Sequence, residues 1–502
     1  MQSSRRWLVL SIVSVALVLV TVDMTVLYIA LPQLTHDLAA TAAAKLWIVN
    51  IYPLIVSGLL LGAGTLGDRF GHKKLFMLGL AVFGLASLTA AYSGSPERLI
   101  AARALLGVGA AMMMPATLAI IRLAFPQEKE RAMAIGIWSA VASGGAAAGP
   151  LVGGALLEYF WWGSVFLINV PIVVLALLVA GWCVPADSAD GSRPWDLPGS
   201  LQVTMALLSL AYAIKEFAKA APSYGYLLVA MGAGIGLLVI FIRRQRRSRH
   251  PLIDFSIFRT PLFTAAIMAA MISSACLMGI DLVLSQRLQL VMGLTPLQTG
   301  LFFLPLSLAA IIGSLLAGWL LPRLTGPWRF LIVALLLYSL GAAGFLFCYD
   351  APIASQLVCL LLLGVAVGAT TTSVSNFIML NAPPERAGMA ASLEETSYEL
   401  GAAMGITVMG SIMSAVYSDS VGPSHGADVR DSLDLALMVA ESLPPDAAAA
   451  VKLLARSAFD RSFSAVMGTA MTVLLVTAVL VWLSARGRHP DRAESPYDVE
   501  SH

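Results

Sequence analysis

The chain has 502 residues, 58% of them apolar and only 12% charged, with a net charge of +2 and a mean hydropathy of +0.83. That composition lies far outside the range of water-soluble globular proteins and excludes one: such a chain needs lipid as its solvent.

Apolar stretches of about 20 residues, each enough to cross roughly 30 Å of hydrocarbon as a helix, recur along the chain. The predicted spans are 7–32, 46–66, 75–94, 97–121, 131–157, 163–184, 197–217, 224–243, 261–285, 297–320, 329–348, 352–380, 387–416 and 463–485. The first follows Arg5 and Arg6, but its apolar run is too long for a signal peptide and no small-residue cleavage site follows. The expectation is an all-α membrane protein of 14 transmembrane helices. With the N-terminus placed in the cytoplasm, most Lys and Arg fall on cytoplasmic segments and both termini are cytoplasmic. The cluster Arg243, Arg244, Arg246, Arg247 and Arg249 beside the eighth span reads as a topology signal, so no nucleic-acid partner is expected. Cys183, Cys276, Cys348 and Cys359 lie in apolar segments without metal-ligand spacing, which indicates neither a disulfide framework nor a metal site.

Taken in chain order, Asp23 is the first residue to carry chemistry. It sits inside the first span, where an unpaired carboxylate is expensive. A carboxyl that is neutral when closed off and ionised when hydrated can exchange a proton for a cation. After the second span comes Gly64-Thr65-Leu66-Gly67-Asp68-Arg69-Phe70-Gly71-His72-Lys73-Lys74, whose acid and cations can make contacts at helix ends while its glycines allow close backbone approach. Arg103, in Leu99 to Gly109, is a lone cation within the fourth span. Such a residue calls for a partner or water. The fifth span carries Gly144-Gly145-Ala146-Ala147-Ala148-Gly149-Pro150-Leu151-Val152-Gly153-Gly154: small residues at intervals of four let helices approach, and Pro150 frees the helix to bend.

Asp281 lies near the outer end of the ninth span, where Ser285, Gln286 and Arg287 suggest water nearby; mouth-lining and substrate-binding both remain open for it. The thirteenth span holds Glu394, Glu395 and Glu399. Glu395 and Glu399 share a helix face and Glu394 lies about 100° round from Glu395. Three carboxyls within two turns titrate as a coupled set, suited to storing a proton and binding a cation. Residues 418–462 carry helix-like patterns at Asp428 to Glu441 and Asp446 to Asp460, predicting an external helical hairpin. Trp47, Tyr52, Trp138, Phe377 and Tyr398, with Met112 to Met114, are candidates for an adaptable cavity lining.

The loop 64–74, the Arg103 segment, the Gly-Pro-x-x-Gly-Gly string at 149–154 and Phe166 to Pro171 occur in the order and on the helices of the major facilitator superfamily, which the chain resembles from the first span to the last. With fourteen spans it is similar to the drug:proton antiporter family that exports quaternary ammonium compounds and methyl viologen. The resemblance implies a six-helix bundle over 1–184, two inserted helices and a basic linker over 185–260, and a second bundle over 261–486. The external hairpin 418–462 belongs to this second bundle, and residues 487–502 form a cytoplasmic tail.

It also implies alternating access in the bacterial cytoplasmic membrane, with protons and lipophilic cationic small molecules as partners. Gly64, Asp68, Arg69, Gly71, Arg103, Gly149, Pro150, Gly153 and Gly154 would then serve conformational change. Asp23, Asp281 and the three glutamates would bind proton and substrate. Asn50 stands where related exporters often have an acid, one negative site fewer. No phosphate-binding glycine loop, metal-ligand cluster or nucleophile constellation is present, so the expectation is a secondary transporter without catalytic residue or cofactor. Export of a natural metabolite, such as an antibiotic, siderophore or amino-acid derivative, is the alternative.

Overall fold

The computed structural model describes residues 3–185, 196–219, 222–248, 251–253, 255–324, 326, 328–381, 387–423 and 425–486. Arg249 and the tail 487–502 lie outside the described residues. A backbone in hydrocarbon has no water to turn to and satisfies its peptide groups within a helix. Each predicted apolar segment is accordingly helical, the sixth with a break at Ile168.

The first half comprises α1 (Ser3–Asp37), α2 (Ala42–Phe70), α3 (His72–Ala91), α4 (Pro96–Ala124), α5 (Glu128–Tyr159), a short α6 (Ser164–Leu167) and α7 (Asn169–Cys183). The inserted pair is α8 (Leu197–Phe217) and α9 (Tyr224–Arg247). The second half comprises α10 (Pro261–Gln286), α11 (Pro296–Leu320), α12 (Trp328–Cys348), α13 (Ile353–Asn381), α14 (Ala387–Val421), short α15 (Ala427–Asp431) and α16 (Leu433–Glu441), and α17 (Pro445–Arg486). Among the described residues, thirteen helices are long and apolar enough to cross a bilayer. The remaining expected span, 131–157, falls in α5, a 32-residue helix.

Local chemistry sets several boundaries. Thr41 caps α2, Ser95 with Pro96 starts α4, and Thr295 with Gln298 forms a capping box before α11. Between α2 and α3 the chain reverses on Gly71 alone, at φ 95°, a backbone conformation that favours glycine.

Two six-helix bundles follow from repeated packing. In the first half α1 packs on α5, α2 and α3 on α4, and α3 on α7. The second half repeats this with α10 on α14, α11 and α12 on α13, and α12 on α17. The halves meet along two seams, α5 against α11 and α14 against α2. The inserted α8 lies over the second seam, touching both α2 and α14, and carries α9 on its outer side.

The hairpin departs from expectation. Its first arm is broken at Ser432 into α15 and α16, because the Ser432 side chain caps a new helix at Leu435. Its second arm is not a separate helix: α17 runs unbroken for 42 residues through both the arm and the last span. Apolarity marks where a helix enters lipid, but it does not mark where the helix begins. The stretch 446–460 is rich in alanine, the strongest helix former, with Ala447 to Ala450, Ala455 and Ala458 among its residues, so the helix continues without a stop.

Candidate functional site

In the first half, Asp23 of α1 is buried and its Oδ2 is ion-paired with Nη1 of Arg103 on α4. Asn169 at the start of α7 donates to Asp23 Oδ1 at 3.5 Å and to Ser87 Oγ of α3 at 3.2 Å. Arg103 also donates from Nε to the Ile48 carbonyl of α2 at 3.3 Å, and its guanidinium stands 4.7 Å from the centre of the Tyr52 ring. The sequence alone presents Asp23 and Arg103 as two isolated charges, whereas the packing of α1 on α4 makes them partners. Each offsets part of the cost of burying the other, and the network ties α1, α2, α3, α4 and α7 together.

The second half carries its acids differently. The Ser375 hydroxyl of α13 donates to Glu394, which turns toward that helix. Glu399 is buried at 6% exposure, and its Oε2 accepts no hydrogen bond among the described residues. Glu395 lies between them in electrostatic reach of both. Asp281 of α10 also has a buried oxygen, Oδ1, without a partner among the described residues. Its sequence neighbours Ser285, Gln286 and Arg287, expected to lie near water, are all buried. The reason is side-chain pairing, since Gln286 accepts from Lys45 at 2.8 Å and Arg287 holds Asp350 at 2.8 Å and Asp460 at 2.9 Å.

Two tyrosines stand between the halves. Tyr52 feels the charges of Asp23, Arg103 and Glu399, and Tyr28 those of Asp281, Arg103 and Glu399. The paired centre of the first half and the acids of the second therefore lie within electrostatic reach of the same two tyrosines. Tyr28 does not stand out in the sequence; only its position five residues after Asp23 could have suggested it.

We call the end that carries α15 and α16 the hairpin end, and the opposite end, with Gly71, the loop end. Cross-half bonds gather at the hairpin end. Tyr28 Oη reaches Met278 Sδ at 3.3 Å, Gln289 donates to the Ile29 carbonyl at 3.0 Å, and Asn50 donates to Thr407. The amide of Asn50 thus links α2 to α14. Lys45 of α2 is buried and ion-paired with Asp434 of α16, and Asp431 accepts from the Ala42 N–H at 2.6 Å. In the sequence Lys45 reads only as an external charge. Sequence reasoning also misses Lys215, which lies in an apolar span yet is buried, donating to the Leu46 carbonyl at 3.1 Å with its ammonium 3.9 Å from the Trp47 ring centre.

The glycine string of α5 divides between two neighbours. A Cβ at Gly145, Gly149 or Gly153 would meet Thr21, Thr25 or Val26 of α1, so this row seats α5 on α1. One at Gly154 would come 2.6 Å from the Pro296 carbonyl of α11, and one at Gly300 would come 2.4 Å from the Pro150 carbonyl. Pro150 and Gly154 therefore form the seam between halves. At the loop end, Asp68 meets His72 at 3.1 Å, the Arg69 guanidinium lies 5.6 Å from the Phe70 ring centre, and Lys73 donates to the Gly181 and Val184 carbonyls at the C-terminus of α7. Contrary to the expectation of close approach, Gly64 has open space where a Cβ would stand.

Comparison with known proteins places this arrangement. The Major Facilitator Superfamily matches residues 13–406. Methyl viologen resistance protein SmvA of Salmonella typhimurium is 39% identical over 96% of this chain and 98% of its own length. Multidrug efflux pump LfrA of Mycolicibacterium smegmatis is 35% identical over 96% and 97%. Among solved structures, a bacterial homologue of the human lysosomal transporter Spinster, inward-facing and unoccupied, is similar with a TM-score of 0.70 at 17% identity, covering 97% of this chain and 98% of that one. The chain belongs to the major facilitator superfamily.

Proposed function

From that membership we propose that the chain is a proton-coupled exporter of lipophilic organic cations, with residues 1–184 and 261–486 as its two rocking halves. The observation that carries the reading is the unpartnered Oε2 of buried Glu399, set against an already neutralised Asp23–Arg103 pair in the other half. Between the halves the uncompensated charge is carboxylate, from Glu399, Glu395 and Asp281. A cation or a proton neutralises it, and an anion does not.

Tyr28 offers an aromatic face for a lipophilic cation without a hydrogen-bonding donor, and Tyr52 does so once Arg103 leaves its ring. A proton on Asp23 would release Arg103 from its partner and change what the first half presents to the second. That couples proton binding to rearrangement of the halves. The relatives named for methyl viologen resistance and multidrug efflux support export of such compounds.

We further assign both termini, and with them the loop end, to the cytoplasm and the hairpin to the outside, giving fourteen crossings when α5 is included. The cross-half bonds at the hairpin end then seal the outer mouth. The open space at Gly64 is the inner side of an inward-facing state, and Gly64, Asp68 and Arg69 close against the second half in the opposite state. Cysteine labelling checks the topology: a membrane-impermeant thiol probe added outside should label Ala427→Cys and not Ser248→Cys.

The functional test is transport in proteoliposomes with an imposed pH gradient. Mono- and divalent lipophilic cations should be moved with proton exchange, and anionic metabolites should not. Gradient-driven export of anions with no response to cations would reject the reading.

A further inference from the structure

A groove of about 440 Å³ opens on the flank of the molecule, where the inserted α8 meets α14 of the second half. Its wall changes character along the membrane normal. Lys219, Asp419 and Arg430 line it toward the hairpin end, and Ser411, Ile412 and Val408 line it deeper. Val408, Ile412, Ala415 and Asp419 form one face of α14, apolar below and charged at the top. From Val408 to Asp419 is about 16 Å of helix, close to the roughly 15 Å depth of one leaflet's hydrocarbon. The order of the wall is that of a lipid molecule, head at the surface and chain toward the midplane.

Two polar atoms in this wall lack partners among the described residues: the Ser411 hydroxyl, in a residue 5% exposed, and Nε of Arg430. Buried polar groups are seldom left so, and an acceptor bound at the hairpin end of the groove would satisfy the Arg430 guanidinium. The charges specify that group further. Arg430 and Lys219 can hold a phosphodiester, Lys219 keeping donors to spare beyond its bond to Glu216. Asp419 complements a nearby ammonium. Below them Met404, 40% exposed, continues the stripe one turn deeper, and Phe217, 69% exposed, stands at the rim.

We propose that this groove binds a phospholipid with a primary-amine headgroup, its phosphate on Arg430 and Lys219, its ammonium on Asp419 and an acyl chain along Ile412, Val408 and Met404. Basic pockets between membrane helices are suited to such heads. The site joins α8, which packs on α2, to α14 and α15 of the other half. Arg430 also adjoins Asp431, which accepts from Ala42 of α2. The lipid therefore bridges the seam that the hairpin closes, and its binding favours the hairpin-closed state.

The experiment uses the full chain in nanodiscs of phosphatidylethanolamine, of phosphatidylcholine or of phosphatidylglycerol. After transfer to detergent, retained lipid is counted by native mass spectrometry. The expected result is one phosphatidylethanolamine per chain, with the other two lipids retained at least tenfold less. Arg430→Ala, and Ala415→Phe, which fills the groove, should each lose at least tenfold of this retention, whereas Arg329→Ala, at the loop end, should not. Thermal unfolding in lipid-free detergent, unchanged across the variants, confirms that they are folded. Equal retention of all three lipids, or undiminished retention in both groove variants, would mean annular lipid only and overturn the proposal. Preference for phosphatidylglycerol would overturn it too. Because retention is read without transport, its failure leaves the export reading standing.

Discussion

The two halves share a helix-packing plan but not a way of burying charge. In the first, Asp23 is answered by Arg103, Asn169 and, through Asn169, Ser87. In the second, Glu394 has a serine, while Glu399 and Asp281 each bury an oxygen without a partner among the described residues. A fully paired centre fixes helices in place, whereas an unpaired one stays available to whatever enters. On the proposed reading, the repeat gives one half a framework and the other a site.

Breaking the framework should have the largest effect. Arg103→Ala leaves Asp23 buried without its counter-ion, a loss of about 3–5 kcal/mol by analogy with broken buried pairs. It should appear as a large fall in the detergent melting temperature, partly recovered in the double variant Asp23→Leu, Arg103→Met. If the single variant melts like the parent, the pair is not a framework. Next comes the seam: Gly154→Val places atoms against the Pro296 carbonyl and should cost about 1–3 kcal/mol, whereas Gly64→Ala, with open space around it, should leave the melting temperature unchanged yet slow transport. Equal melting of the two variants would remove the contrast.

On the site side the expectation reverses. Glu399→Gln should keep or raise stability, because an uncompensated buried carboxyl is replaced by an amide. It should lower cation affinity about tenfold, equivalent to ~1.4 kcal/mol, and abolish substrate-induced proton release. Glu394→Gln, whose carboxyl already has Ser375, should do less in both measurements. The smallest effect is expected from Asp68→Asn at the loop end: slower transport with substrate affinity within twofold of the parent, read by equilibrium binding. A tenfold loss of affinity there would move Asp68 into the site.

The helices and the charges within them were legible in the sequence because a bilayer makes both conspicuous. Asp23, Arg103 and the three glutamates stand out against apolar neighbours. Which charges meet was not legible. The Asp23–Arg103 pair joins residues eighty positions apart, and Lys45–Asp434 joins opposite halves of the chain. Helical periodicity specifies a face of a helix but not the helix that covers it. The same limit explains Gln286 and Arg287, polar residues that signalled water but are buried with partners on other helices. Lys215 escaped notice for a related reason: a single amine in an apolar span can reach a backbone carbonyl and an aromatic face on a neighbour that the sequence does not identify.

The unbroken course of α17 has a mechanical consequence. At 42 residues it is about 63 Å long, roughly twice the hydrocarbon thickness, so close to half of it stands outside the lipid as a stiff lever. Its lower part is packed against α10, α12 and α14, and its upper part supports α16. A tilt of about 10° of the second half would sweep the tip of a ~60 Å rod through roughly 10 Å, a displacement much larger than any at the fulcrum. A spectroscopic ruler between Asp446 and a fixed point on the first half would therefore read the state of the transporter at high gain, from outside the membrane, and a binder seated on that tip would act as a brake.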